Sequence, residues 1–83
     1  MRITIKLFAT LQKYLPANAT ATSAEIDVPE GATVADVLTR LGIPEQEVHM
    51  TLIDGRYVAP EERASTRLSP DAALAVWPPV AGG

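Results

Sequence analysis

Only one stretch of this 83-residue sequence carries a sustained helical period, and that limits the folds open to it. Val34, Val37, Leu38 and Leu41 recur at three- and four-residue spacing, which aligns them as one stripe of an α-helix. The stretch also has a start and a stop. Thr33 is the predicted N-cap, and Asp36 three residues later completes a capping box in which Asp stands for the more usual Glu. Gly42 supplies the C-terminal stop and Pro44 blocks continuation. A lone helix with one apolar stripe must bury that stripe against something else in the chain.

That something is a set of alternating segments. From Met1 to Phe8, Ile3, Ile5 and Leu7 fall on one face and Arg2, Thr4 and Lys6 on the other, the pattern of a half-buried strand. Glu25 to Val28 alternates again, with Ile26 and Val28 inward, and is expected to pair with the first strand. Val48 to Ile53 reads as a third strand with both faces fairly apolar, and Asp54-Gly55 is a strong hairpin signal leading to a short return strand, Arg56 to Val58. Ala72 to Trp77 is the last strand, with Leu74 and Val76 on one face and Ala75 and Trp77 on the other. Pro78 and Pro79, which cannot donate to a ladder, end it.

Between these segments, Ala9 to Leu15 fits one or two helical turns stopped by Pro16, and Asn18 to Ala24 reads as a small polar loop. Pro29-Glu30-Gly31 and Ser69-Pro70-Asp71 read as turns, and Pro60 to Leu68 as an aperiodic polar loop with at most a helical turn. One amphipathic helix across a mixed sheet is the economical way to bury every apolar face in this order. The expected fold is therefore α+β, a β-grasp or ubiquitin-like roll.

Composition narrows what such a domain can do. At 47% apolar residues the chain should pack, but 83 residues suffice for one domain only. With Phe8, Tyr14, Tyr57 and Trp77 as its aromatics, it has no room for an internal catalytic pocket of ~300 Å³ or more. Its net charge is −3 and its seven basic residues are scattered, which argues against nucleic-acid binding. No apolar run approaches the ~20 residues of a membrane span. The N-terminus alternates as a strand rather than a signal peptide, so a cytoplasmic location is expected.

His49 stands without the companions that a zinc or acid–base site needs, and no metal site or permanently bound cofactor is expected. The chain has no cysteine, which removes disulfides, thiolate metal sites and side-chain persulfide chemistry. Lys6 and Lys13 are the only lysines, so lysine-linked chains of this protein are not expected as its main activity.

The remaining place for chemistry is the end of the sequence. No charged side chain occurs from Ala72 to Gly83, and the last six residues are Pro78-Pro79-Val80-Ala81-Gly82-Gly83. Two prolines favour an extended exit of ~3.1 Å per residue. Two glycines add no bulk and reach φ values closed to other residues. Such an arm could thread its carboxylate into a narrow channel of another protein. Chance alone gives a Gly-Gly ending in about one chain in 200 at ~7% glycine, so the placement after a final strand and a Pro-Pro stop matters more than the dipeptide. The expected division is a domain over 1–78 and a tail over 79–83.

Val76-Trp77-Pro78-Pro79-Val80-Ala81-Gly82-Gly83 closely resembles the C-terminus of the molybdopterin synthase small subunit family. Ile5 to Leu11 resembles that family's first strand and helix. Ile53-Asp54-Gly55-Arg56-Tyr57-Val58 is similar to its central hairpin, where the family often has Asn for Asp54. Two departures are the Ser69-Pro70-Asp71-Ala72-Ala73 segment, where the family commonly has a Gly-Asp turn, and Trp77 in place of Phe.

The resemblance implies a β-grasp sulfur carrier that is not itself a catalyst. An adenylating enzyme of the ubiquitin-activating type would use ATP to activate Gly83, and a sulfur-transfer enzyme would supply the sulfur of a covalent C-terminal thiocarboxylate. Two carriers would join a dimeric large subunit of molybdopterin synthase as a heterotetramer.

Gly82 and Gly83 are thus the reacting end, and Trp77, Pro78, Pro79, Val80, Ala81, Phe8 and Leu52 are the candidate partner-binding residues. Trp77 is expected to be a large exposed aromatic beside the tail, since Leu74 and Val76 take the core face. Met50 and Leu52 share one face of a strand, but the sequence does not say which face docks. The alternatives are a sulfur carrier for thiamine or another sulfur-containing metabolite, a ubiquitin-like protein modifier, and a binding module with an inert tail.

Overall fold

The structure, a computed structural model, describes residues 1–79. Strands β1 (Arg2–Leu7), β2 (Ser23–Asp27), β3 (Met50–Ile53), β4 (Arg56–Val58) and β5 (Ala73–Trp77) form one sheet in the order β2-β1-β5-β3-β4. β1 and β5 run parallel at its centre, and the other neighbours are antiparallel. Helix α1 (Val34–Arg40) follows β2, and 3-10 helices occupy Ala9–Tyr14, Glu45–Glu47 and Pro60–Glu62. This is the α+β β-grasp arrangement expected from the order of elements.

Register explains the core. Ile5 lies opposite Ala24 on one side and Leu74 on the other, and Leu7 opposite Val76. With Ile3, these side chains form the inner face of the sheet, and Ile3, Ile5, Leu7, Leu74 and Val76 are fully buried. Val34, Val37 and Leu38 of α1 join the same cluster, as does Leu11 from the first 3-10 helix. The alternation in β1 and the helical stripe are two halves of one interface.

The ends of α1 are built as their residues require. The Asp36 amide donates to Thr33 Oγ1 at 3.1 Å, and the Thr33 amide donates back to Asp36 Oδ2 at 3.0 Å, so the short Asp closes the capping box. At the other end Gly42 adopts φ 77°. Its amide donates to Thr39 and the Ile43 amide to Leu38, both at 3.0 Å, the paired bonds of a Schellman stop. The stop drops Ile43 into the core.

In the hairpin, Asp54 and Gly55 take φ 49° and 85°, so both central residues are left-handed, as a two-residue type I′ turn requires. Asp54 also anchors the hairpin to β5. Its amide donates to the Ala73 carbonyl and its Oδ1 accepts from the Ala73 amide, both at 2.9 Å.

Three segments differ from expectation by more than one residue. β2 begins at Ser23, inside the expected loop, because Thr20 and Ser23 exchange backbone hydrogen bonds of 2.8 and 3.0 Å. β3 begins at Met50 rather than Val48, because the turn at Glu45–Glu47 swings Val48 into the core. The segment from Pro60 to Leu68 is more than a polar loop. Arg63 is 5% exposed, Leu68 is buried, and the Arg63 and Thr66 carbonyls accept from the Ala35 and Val34 amides of α1 at 2.9 and 3.0 Å.

Candidate functional site

The C-terminal strand is central in the sheet, which decides where the tail starts. β5 ends between the chain that leaves β1 and the chain that enters β3. The Phe8 amide donates to the Val76 carbonyl at 3.3 Å, and the His49 amide donates to the Trp77 carbonyl at 2.8 Å. Pro78 and Pro79 follow, and neither has an amide to continue the ladder. Pro78 is half-buried and Pro79 exposed. Val80, Ala81, Gly82 and Gly83 lie outside the described residues.

The segments on the two flanks of this exit are also tied to each other. The Tyr14 hydroxyl, at the end of the first 3-10 helix, donates to the Glu47 carboxylate, with its oxygens at 3.0 and 3.1 Å. Lys13 Nζ lies 3.8 Å from Glu47 Oε1 and 5.4 Å from the centre of the Tyr14 ring. Burial raises the Tyr14 hydroxyl above its ordinary pKa, and its hydrogen bond to the Glu47 carboxylate and that group's negative charge add to the shift. Tyr14 therefore stays a neutral donor across the physiological range.

On the outer side of the sheet the register assembles an apolar surface. Met50 lies opposite Trp77, and Leu52 lies between Ala75 of β5 and Tyr57 of β4. Thr51, which is fully buried, and Ile53, which packs against the core, take the inner face of β3. Met50 and Leu52 therefore belong to the outer face of this strand. Phe8 stacks on Trp77 with ring centroids 4.6 Å apart and planes 12° from parallel, within the range where aromatic pairs attract.

The tryptophan expected to stand exposed is thus half-buried. It does face outward, but Phe8 covers part of it. Tyr57, at 59% exposure, is the most exposed large apolar side chain of this surface. It is not among the site residues expected from the sequence, although the sequence carries the signal: a two-residue turn at Asp54-Gly55 pairs Ile53 with Arg56 and hence Leu52 with Tyr57.

The rest of the outer face is charged. Arg2 lies 3.4 Å from both Glu25 and Asp27, and Lys6 sits between Ser23 and Ala75. An apolar half over β3, β4 and β5 thus meets a charged half over β1 and β2, with the tail leaving at the end of the apolar half. The outer face is divided side by side, with its apolar part bordered by charge along one edge. Among the described residues, no three His, Asp or Glu side chains gather where they could hold a metal. No helix among them is long and apolar enough to cross a membrane.

Comparison with known proteins places this chain in a family. No curated protein matches the chain. Among solved structures, small archaeal modifier protein 1 from Haloferax volcanii is 27% identical, with a TM-score of 0.68 over 95% of this chain and 98% of its own. Another Haloferax volcanii protein, solved in solution, is 29% identical, with a TM-score of 0.77 over all of this chain and 87% of its own. A Pyrococcus furiosus protein described provisionally as molybdopterin converting factor subunit 1 is 24% identical, with a TM-score of 0.68 over 95% of this chain and 98% of its own, a likeness that bears on the fold alone. The profile of the ThiS family matches residues 5–83, nearly the whole sequence. The chain belongs to the ThiS family, a group of β-grasp sulfur carriers and ubiquitin-like proteins.

Proposed function

We propose that this chain is an acyl carrier for sulfur whose reacting group is the carboxylate of Gly83, the last residue of the sequence. Residues 1–78 act as the docking body and 79–83 as the arm. An oxygen of the carboxylate attacks the α-phosphorus of ATP and expels pyrophosphate, giving an acyl adenylate. A sulfur nucleophile at the oxidation level of hydrosulfide then attacks the acyl carbon and expels AMP, leaving a C–S bond where the C–O–P link stood. No electrons change hands. Both steps take place in partner proteins, an adenylating enzyme and a sulfur-transfer enzyme, and a third enzyme consumes the thiocarboxylate.

The observation that carries this reading is the coincidence of three features at one end of the sheet. The final strand stops at a Pro-Pro pair, the stop borders an apolar outer face, and the sequence beyond it is Val-Ala-Gly-Gly. The likeness of the ending to molybdopterin synthase small subunits supports a dimeric synthase large subunit as recipient. The family match supports a broader set of recipients, including thiamine and other sulfur-containing metabolites.

A second reading, protein modification through Gly83, is favoured by the likeness to small archaeal modifier protein 1. The chemistry divides after the adenylate: a sulfur nucleophile gives the carrier, a target lysine gives the modifier. Incubation of the chain with ATP and an activating enzyme of the ubiquitin-activating type, followed by hydroxylamine, is expected to give a hydroxamate on Gly83. Absence of the hydroxamate contradicts both readings. Glycine-dependent conjugates of higher mass in cells, without thiocarboxylate, would select the second.

A further inference from the structure

Arg63 belongs to a stretch with no periodicity, yet its side chain is buried at 5% exposure. Nε donates to Thr51 Oγ1 and Nη2 to the His49 carbonyl, both at 3.4 Å. Thr51 Oγ1 in turn donates to the Val58 carbonyl at 3.0 Å. Among the described residues no carboxylate lies within 4.0 Å of the guanidinium. Burying a guanidinium against neutral acceptors is costly, and an unbranched apolar side chain of similar length would fill the same space without that cost. Core packing therefore does not account for an arginine here.

What the arginine does provide is a long donor that reaches the His49 carbonyl. The amide of that same residue donates to the Trp77 carbonyl at 2.8 Å. The Trp77 carbonyl accepts the last hydrogen bond of β5 before the two prolines, which have no amide of their own. The contacts thus run in one line from Arg63 through His49 to the point where the tail begins.

We propose that Arg63 is a positioning residue for the reacting arm. By holding the His49 carbonyl it keeps the Trp77 carbonyl in place, and so sets the direction in which Pro78 and Pro79 leave the sheet. The inference rests on the reading of the tail as the reacting arm. Its effect falls on delivery of Gly83, while docking is left to the outer face. A reacting group misplaced by about 1 Å can lose on the order of 10²-fold in rate, so a clamp several residues upstream can matter.

The test compares the full chain with Arg63→Met and Arg63→Lys. Backbone amide exchange is followed at His49 and, as the measure of global stability, at Ile5 in β1. Arg63→Met is expected to leave Ile5 exchange unchanged or slower, because the cost of the buried charge is gone, and to speed His49 exchange about tenfold. The kcat of adenylation should fall about tenfold with KM within about twofold. Arg63→Lys, which reaches one acceptor but not two, should recover part of that kcat. Unchanged His49 exchange overturns the clamp, and so does a loss of kcat that merely tracks faster exchange at Ile5. If the wild-type chain is not adenylated at all, the proposed function fails, and the His49 exchange still decides whether the clamp exists.

Discussion

Removal of Gly82 and Gly83 is expected to abolish adenylation while leaving the fold and the docking affinity near wild type. The truncation shortens the arm by about 7 Å and ends it in Ala81, whose Cβ crowds the acyl carbon. A displacement of about 1 Å alone can cost on the order of 10²-fold, so the rate should drop below detection. The core should not notice the change, because Leu74 and Val76 carry the buried face of β5 and the strand ends at Trp77. The truncated chain should therefore compete with the full chain for the activating enzyme, as a bound but unreactive partner. Thermal melting, a competition assay and the hydroxylamine trap check the three parts. Unaltered adenylation of the truncated chain would leave only the inert-tail reading.

Leu52→Asp is expected to do the reverse. Leu52 sits on the outer face between Ala75 and Tyr57, and the adjacent Thr51 is the residue of that strand buried against the core. An aspartate there points away from the core, so the melting temperature should move by only a few degrees, the shift of roughly 1 kcal/mol in a domain this size. In a complex, however, the carboxylate would be desolvated against an apolar partner. The loss expected at the centre of an interface is about 2–4 kcal/mol, roughly 30- to 1000-fold in affinity. The KM for the carrier should rise accordingly, with kcat at saturation little altered. A KM within a factor of about two of wild type would move docking off this face. The truncation acts on the rate and Leu52→Asp on affinity, so together they separate arm from surface.

Much of this architecture is legible in the sequence. The alternation of Ile3, Ile5 and Leu7, the stripe on α1 with its Thr33 and Gly42 boundaries, and the Asp54-Gly55 turn each carry a local physical signal, and each forms as expected. What escaped the sequence lacks such a signal. Ala9 and Ala21 adopt φ 51° and 54°, a left-handed conformation that alanine does not advertise and that costs about 1 kcal/mol. At Ala9 the bend turns the chain out of β1 so that Leu11 enters the core while Phe8 remains beside Trp77.

Arg63 reads as one more charge in a polar loop, and its burial follows from long-range contacts with β3 and α1 that no window of sequence contains. The face of β3 that points outward was undecidable from a strand apolar on both sides. Pairing with β5 decides it, by setting Thr51 opposite Val76 and Met50 opposite Trp77. The last four residues, Val80 to Gly83, lie at the opposite extreme: they are plain in the sequence and outside the described residues.

The central claim is that Gly83 carries sulfur. Its most direct test is the intact mass of the full chain after incubation with ATP, the activating enzyme and a sulfur donor. The account predicts the gain of one sulfur for one oxygen, confined to a C-terminal fragment ending in Gly83 and dependent on ATP. An unchanged mass under conditions where the hydroxamate shows that the adenylate forms would contradict it, and would leave protein modification as the use of the activated end.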